Sequence, residues 1–255
     1  MTPTRDDLIP GAEPFSAAGG PAGVLVLHGF TGNPQSMRGL AEAFAATGFT
    51  VELPLLPGHG TKVEDMIPTR WDDWSGAAEV AYQELASRCD RVVVAGLSMG
   101  GTLSCWLAAH HPEIAGVVAV NPAVEPPADS FLELFKGSLD QGLETIPGIG
   151  NDVADPSVRE LAYEQTPLAA GLSMFEAIND LVPRLGEIRC PVLLLTSPQD
   201  HVVPPTNSDF LADRVTGPVE RVSLERSYHV ATLDYDKAEI EARAVDFARK
   251  VTAGQ

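Results

Sequence analysis

The pentad GLSMG sets Ser98 between Gly96 and Gly100, where an apolar run gives way to a helical one. Glycines two residues either side of a serine permit the sharp strand-to-helix turn that lifts its hydroxyl above a sheet. A helix opening at Met99 aims unpaired backbone N–H groups at the same point. Such a serine attacks a carbonyl carbon once a base takes its proton. Six histidines compete for that role: His28, His59, His110, His111, His201 and His229. His110 and His111 precede Pro112 at a helix C-terminus, where a cation suits the dipole, and read as structural. His28 (LHGFTG) and His59 (PGHGT) sit in glycine turns and read as loop fasteners; His201 adjoins a better-placed aspartate. His229 lies between the last strand and the last helix, a position that returns over the C-terminal edge of the sheet beside Ser98. It is the expected base.

A histidine base is oriented by a carboxylate. In CPVLLLTSPQDHVVPP, Asp200 stands just past the end of a strand, on the sheet edge that carries Ser98. Asp209 and Asp213 fall on the following helix, Asp234 follows the base, and the preceding strand ends in Asn121 and Pro122, so Asp200 is the expected acid. Attack on an ester puts charge on the carbonyl oxygen, which two N–H donors must meet. Met99 beside the nucleophile supplies one, and Phe30 in HGFTG, where Gly29 allows close approach, supplies the other.

These residues need a scaffold that brings strand ends together. The β-rich apolar runs are unbroken rather than alternating, the pattern of a parallel sheet covered on both faces. Strands are expected near 22–28, 49–54, 91–97, 115–120, 190–196 and 219–224, with helices near 35–47, 71–87, 99–110, 172–182, 206–214 and 236–251. Trp74, Ala78, Ala81 and Leu85 form one apolar stripe, and Ile240, Ala244, Phe247 and Val251 another. The strands at 115–120 and 190–196 stand too far apart for a plain crossover. Residues 1–122 and 171–255 therefore read as an α/β core, and 123–170, rich in Pro and Gly but carrying Phe131, Leu134, Phe135 and Ile149, as a cap over the sheet.

The chain has 255 residues, with 17 Lys plus Arg against 35 Asp plus Glu and a net charge of −18. That field repels phosphate backbones and anionic headgroups, so neither nucleic acid nor stable membrane insertion is expected, and no apolar run reaches a bilayer's thickness. A small neutral substrate fits best. Asp6, Asp7 and Pro10 interrupt the opening residues where a secretory segment would be apolar. Three cysteines, Cys89, Cys105 and Cys190, lack metal or CxxC spacing and read as reduced thiols of a cytoplasmic protein. No metal and no organic cofactor is implied, since HExxH, an EF-hand loop and a GxGxxG after a strand are missing.

The segments LHGFTGNPQSMRGLAEAFA, LPGHGTKVEDM, GLSMGGTL, RELAYEQTP, QDHVVPP and SYHVATLDYD resemble the bacterial monoacylglycerol lipase and carboxylesterase family of α/β hydrolases, closest to its bacillus-type thermostable members. The resemblance implies the α/β-hydrolase fold, a mostly parallel sheet flanked by helices with a small helical cap. It also implies that Ser98, Asp200 and His229 are the triad and Phe30 and Met99 the oxyanion hole. By the same resemblance Glu160, in RELAYE, would contact the glycerol group and Ile149, in IGND, would be an aliphatic gate residue; the stretch FLELFKGSLDQGLETIPG departs from the family's main cap. The expectation is a serine esterase that hydrolyses monoacylglycerols and related esters through an acyl-enzyme. A general short-chain carboxylesterase or thioesterase is the alternative, and a receptor that keeps the pocket without turnover is a third reading.

Overall fold

Two-sided burial decides the strands. The structure is a computed structural model that describes residues 7–253; the first of the opening residues, read above as carrying no secretory segment, lie outside the described residues. In chain order the strands are β1 (Phe15–Ala17), β2 (Ala22–Leu27), β3 (Thr50–Leu53), β4 (Arg91–Leu97), β5 (Gly116–Val120), β6 (Thr145–Pro147), β7 (Gln165–Pro167), β8 (Val192–Thr196) and β9 (Val219–Ser223). The helices are α1 (Arg38–Ala46), α2 (Val63–Met66), α3 (Trp71–Ala86), α4 (Met99–His110), α5 (Asp129–Asp140), α6 (Leu168–Leu181), α7 (Thr206–Ala212) and α8 (Lys237–Thr252). Seven strands form one sheet in the order β1-β3-β2-β4-β5-β8-β9, parallel throughout except for β1. The register sets Leu27 against Gly96 and Leu97 against Val120, so the ends of β2, β4 and β5 meet at one edge.

Alternate side chains of the central strands enter two separate cores. Val92 and Val94 of β4 pack with Trp74, Leu85, Leu103 and Ile178 on the face covered by α3, α4 and α6. Val93, Ala95 and Leu97 pack with Leu40, Phe44, Ile240 and Phe247 under α1 and α8. This is the α/β-hydrolase architecture, and the six expected strands and six expected helices all occur within a few residues of their sequence positions. The stripe of α3 is wider than expected: Ala81 packs against the core partly buried, and Trp71 and Tyr82 are buried beside Trp74, Ala78 and Leu85.

The stretch 123–170 holds helix α5 and the antiparallel pair β6–β7, and α6 opens at Leu168, four residues before the expected helix start. Phe131 and Phe135 of α5 meet Phe175 of α6, with ring centroids 5.4 and 5.5 Å apart. That aromatic cluster seats one end of the stretch on the sheet side of the molecule. Short β1 pairs antiparallel with β3 at the sheet edge. None of the helices among the described residues is long and apolar enough to cross a membrane.

Candidate active site

Crowding fixes the turn at the end of β4. A Cβ on Gly96 would lie 2.1 Å from the carbonyl carbon of Gly100, and one on Gly100 would lie 2.1 Å from the carbonyl oxygen of Leu27. Only glycine lets β4, α4 and the end of β2 approach this closely. Ser98 sits between them at φ 55° and ψ −119°, a conformation that side-chain-bearing residues rarely adopt. Its N–H donates to the Val120 carbonyl at 3.0 Å, which ties the turn to the neighbouring strand end. Met99 is the first residue of α4, so its N–H has no acceptor inside the helix.

Asp200 and His229 meet as the sequence leads one to expect. Nδ1–H of His229 donates to Asp200 Oδ2 at 2.7 Å, which leaves Nε2 with the lone pair a base requires. Asp200 Oδ1 accepts the N–H groups of Val202 and Val203, each at 2.8 Å, so the carboxylate is satisfied on both oxygens. The acid's side chain is 1% exposed and the imidazole 8%. Desolvation at such a site strengthens the charge pairing that forms when the imidazole takes a proton.

Ser98, His229, Phe30, Ile149 and Glu160 all line one cavity of about 130 Å³, with Leu97, Ala123, Met174, Val202 and Val203 making its apolar wall. Asp200 stands behind His229, and Met99 beside Ser98. Glu160 points into this cavity, and its carboxylate accepts no hydrogen bond from the described residues. Burial pushes that carboxyl up to about 7, an effect moderated by the nearby His229. Ile149, at the mouth, is 70% exposed. A roomier groove of about 450 Å³ between α3 and α6, lined by Arg70, Asp72, Glu176 and Asp180, is open to solvent and holds no nucleophile–base pair.

The remaining histidines do other work. His28 donates from Nδ1 to the Gly29 carbonyl (3.0 Å) and accepts the Leu56 N–H at Nε2 (3.2 Å), which fastens the loop after β2 to the loop after β3. His59 donates to the Pro57 carbonyl at 3.0 Å and stacks edge-on against His28, centroids 4.9 Å apart. Burial lowers His28 to about 3, helped by the neighbouring His59, and lowers His59 to about 4. Trp74 packs on both His59 and Phe30, so the pair forms the floor beneath the Phe30 loop. His201 is exposed and its ring bonds Asp152, a residue at the edge of the cavity lining, rather than Ser98 or Asp200.

Two residues that composition and motif do not single out frame His229. Asn121, at φ 43° just past β5, donates to the His229 carbonyl at 2.8 Å and accepts the Ser197 N–H at 2.8 Å. Asp152 accepts the His229 N–H at 3.0 Å. Asn121 is visible in the sequence only as the residue ending a strand. Asp152 is one carboxylate among 35 acidic residues, in a loop with no periodicity to mark it.

Residues 21–236 match the family model described as serine aminopeptidase, S33. The chain is 48% identical over 244 residues to the thermostable monoacylglycerol lipase of Bacillus sp. (strain H-257), covering 95% of this chain and 96% of that protein. It is 25% identical over 241 residues to a carboxylesterase of Bacillus subtilis (strain 168), covering 94% and 97%. Among solved structures, a metagenome-derived lipolytic enzyme superposes with a TM-score of 0.91 at 42% identity, over 95% of this chain and 99% of that one.

Proposed function

The chain belongs to the serine aminopeptidase, S33, family of α/β hydrolases and is an ester hydrolase of the lipase and esterase type; from this premise we propose that it cleaves monoacylglycerols through Ser98, His229 and Asp200. The observation that carries the reading is the 2.7 Å His229–Asp200 hydrogen bond behind a cavity that Ser98 and His229 share. In this reading His229 Nε2 takes the Ser98 proton as Oγ attacks the ester carbonyl, and Asp200 stabilises the imidazolium. The Phe30 and Met99 N–H groups hold the developing oxyanion. His229 then protonates the leaving alcohol, and a water activated by the same ring releases the acid from the acyl-enzyme.

Glu160 supplies the preference for a glycerol ester. A carboxylate facing the cavity without a donor of its own is suited to accept hydroxyl groups of the alcohol half. Ile149 stands at the mouth, and the acyl chain runs along the wall made by Leu97, Ala123 and Met174. The cap is residues 123–170, closing over the cavity.

A second reading, a general short-chain carboxylesterase, draws support from the cavity's size: about 130 Å³ is small beside the roughly 300 Å³ or more of common ligand pockets. Steady-state hydrolysis of mono-, di- and triacylglycerols of graded chain length, beside p-nitrophenyl esters, separates the two. Selective turnover of monoacylglycerols is the expected result. Fast p-nitrophenyl butyrate cleavage with little glycerolipid turnover hands the case to the second reading.

A further inference from the structure

His229 is held through its backbone from two directions, and the two holds differ in origin. Its carbonyl accepts from Asn121, which belongs to the end of β5 in the sheet. Its N–H donates to Oδ2 of Asp152 at 3.0 Å, and Asp152 belongs to the 123–170 stretch. The same Oδ2 accepts the backbone N–H of His201 at 3.2 Å, while Oδ1 receives Nδ1–H of the His201 ring at 2.8 Å. His201 directly follows Asp200, so one carboxylate grips both the loop that carries the acid and the loop that carries the base. The grip is reinforced on each side: the Val230 N–H donates to the Asp152 carbonyl at 3.1 Å, and the His201 ring packs edge-on against Tyr228 with centroids 4.5 Å apart. Asp234, just beyond the base, returns the favour by accepting the N–H groups of Ala154 at 2.7 Å and Asp155 at 3.1 Å.

Resting on the triad reading above, we infer that Asp152 is a positioning residue that locks Asp200 and His229 into register from the cap side. The dyad's own 2.7 Å bond joins two side chains on two separate loops, each free to drift unless its backbone is fixed. The core fixes the His229 carbonyl through Asn121 but leaves its N–H to Asp152. Asp152 touches no reacting atom. It acts by keeping the imidazole aimed at Ser98, and a base misplaced by a fraction of an ångström loses rate rather than affinity. The lock also links the seating of the 151–155 segment to competence of the base: when that segment lifts, the acid and base loops lose their common acceptor.

Asp152→Ala removes all three acceptor contacts, whereas Asp152→Asn keeps an oxygen for the two backbone N–H groups and loses only the second acceptor for the His201 ring. The expected result on p-nitrophenyl butyrate is a 10- to 100-fold fall in kcat for Asp152→Ala with KM within twofold, and recovery of most of that loss in Asp152→Asn. His201→Ala, which removes only the ring arm, should lose no more than about fivefold in kcat. In proton NMR the low-field signal of the His229–Asp200 hydrogen bond should broaden or vanish in Asp152→Ala at temperatures where circular dichroism shows the fold intact. Unchanged kcat in Asp152→Ala, a loss confined to KM, an undisturbed low-field signal, or an asparagine variant no better than alanine would each overturn the lock. Ser98→Ala run in parallel separates this from the triad reading. If Ser98→Ala is inactive, those outcomes remove the role of Asp152 alone; if Ser98→Ala turns over normally, both readings fall.

Discussion

The floor of the cavity and its roof are built by different means. In the floor, backbone meets backbone: Gly96, Gly100 and the end of β2 lie so close that no side chain fits between them, and hydrogen bonds from strand ends fix Ser98 and Asn121. The stretch we propose as its roof, 123–170, rests on side chains: three phenylalanine rings seat α5 on α6, and the carboxylates of Asp152 and Asp234 strap the descending segment to the loop around His229. Among the described residues, four of the six large apolar side chains that stand exposed, Phe131, Leu134, Leu143 and Ile149, belong to the 123–170 stretch. A floor set by backbone packing holds one geometry. A roof set by side chains can vary in length and surface away from the Asp152 contacts without moving the residues below.

The sharpest break in that contrast comes from the floor. Ser98→Ala should cost on the order of 10⁴-fold or more in kcat, judged from how nucleophile deletions behave in other serine hydrolases, while the melting temperature holds or rises. Half the activity surviving would remove Ser98 from the mechanism. Gly100→Ala attacks the floor's packing instead: its Cβ has only 2.1 Å to the Leu27 carbonyl oxygen, so strands must move. We expect a loss above about 3 kcal/mol by urea denaturation, with activity lost alongside. A loss below about 1 kcal/mol would show that the floor yields as readily as the roof.

Acid tests the floor by another route. His28 and His59 are buried neutral, at about 3 and about 4, against 6.5 in an unfolded chain. Between those values the unfolded state binds more protons than the native one, so stability is full above pH 6.5 and drains as pH falls from 6.5 to about 4 for His59 and to about 3 for His28. Denaturation midpoints taken from pH 7 down to 4 should therefore drop, and His59→Asn, which keeps a donor for the Pro57 carbonyl, should make the decline shallower. Equal slopes would assign the acid sensitivity to other groups.

The smallest effect lies in the roof. Glu160→Gln should weaken monoacylglycerol turnover several-fold more than that of simple alkyl esters; equal losses would remove Glu160 from recognition. Because its carboxyl sits near 7, monoacylglycerol KM should rise as pH falls below 7 in the wild type and not in the variant. The sign for stability is opposite to that of the histidine pair. With its pKa raised from 4.5, native Glu160 holds its proton longer than the unfolded chain does, so its contribution falls as pH rises from 4.5 to about 7.

The same division explains what the sequence disclosed. Strands buried on both faces must be apolar at every position, so β2, β4, β5 and β8 stand out as unbroken runs. The elbow needs glycine at two fixed spacings, which leaves a mark at residues 96 and 100. Asp200 and His229 were legible because strand ends on one sheet edge must converge. β1 was not, since a three-residue strand paired by backbone alone needs no particular side chains. Helix α5 was hidden because it lies in a stretch whose Pro and Gly content reads as irregular, and two of its five apolar residues, Phe131 and Leu134, face outward while Phe135 is buried. Asp152 was invisible for a related reason, because a lone carboxylate that serves backbone N–H groups of distant loops has no local pattern.

The torsion angles at Ser98 carry a cost beyond the reaction. A side-chain-bearing residue held at φ 55°, ψ −119° costs on the order of 1–3 kcal/mol, a sizeable part of the 5–15 kcal/mol that holds a typical domain folded. Glycine would adopt those angles without penalty. A chain with glycine at position 98 would thus be a hardier protein and, on the proposed mechanism, an idle one, so under that proposal selection for endurance alone would erode the catalyst and only continuing demand for turnover would keep a serine there.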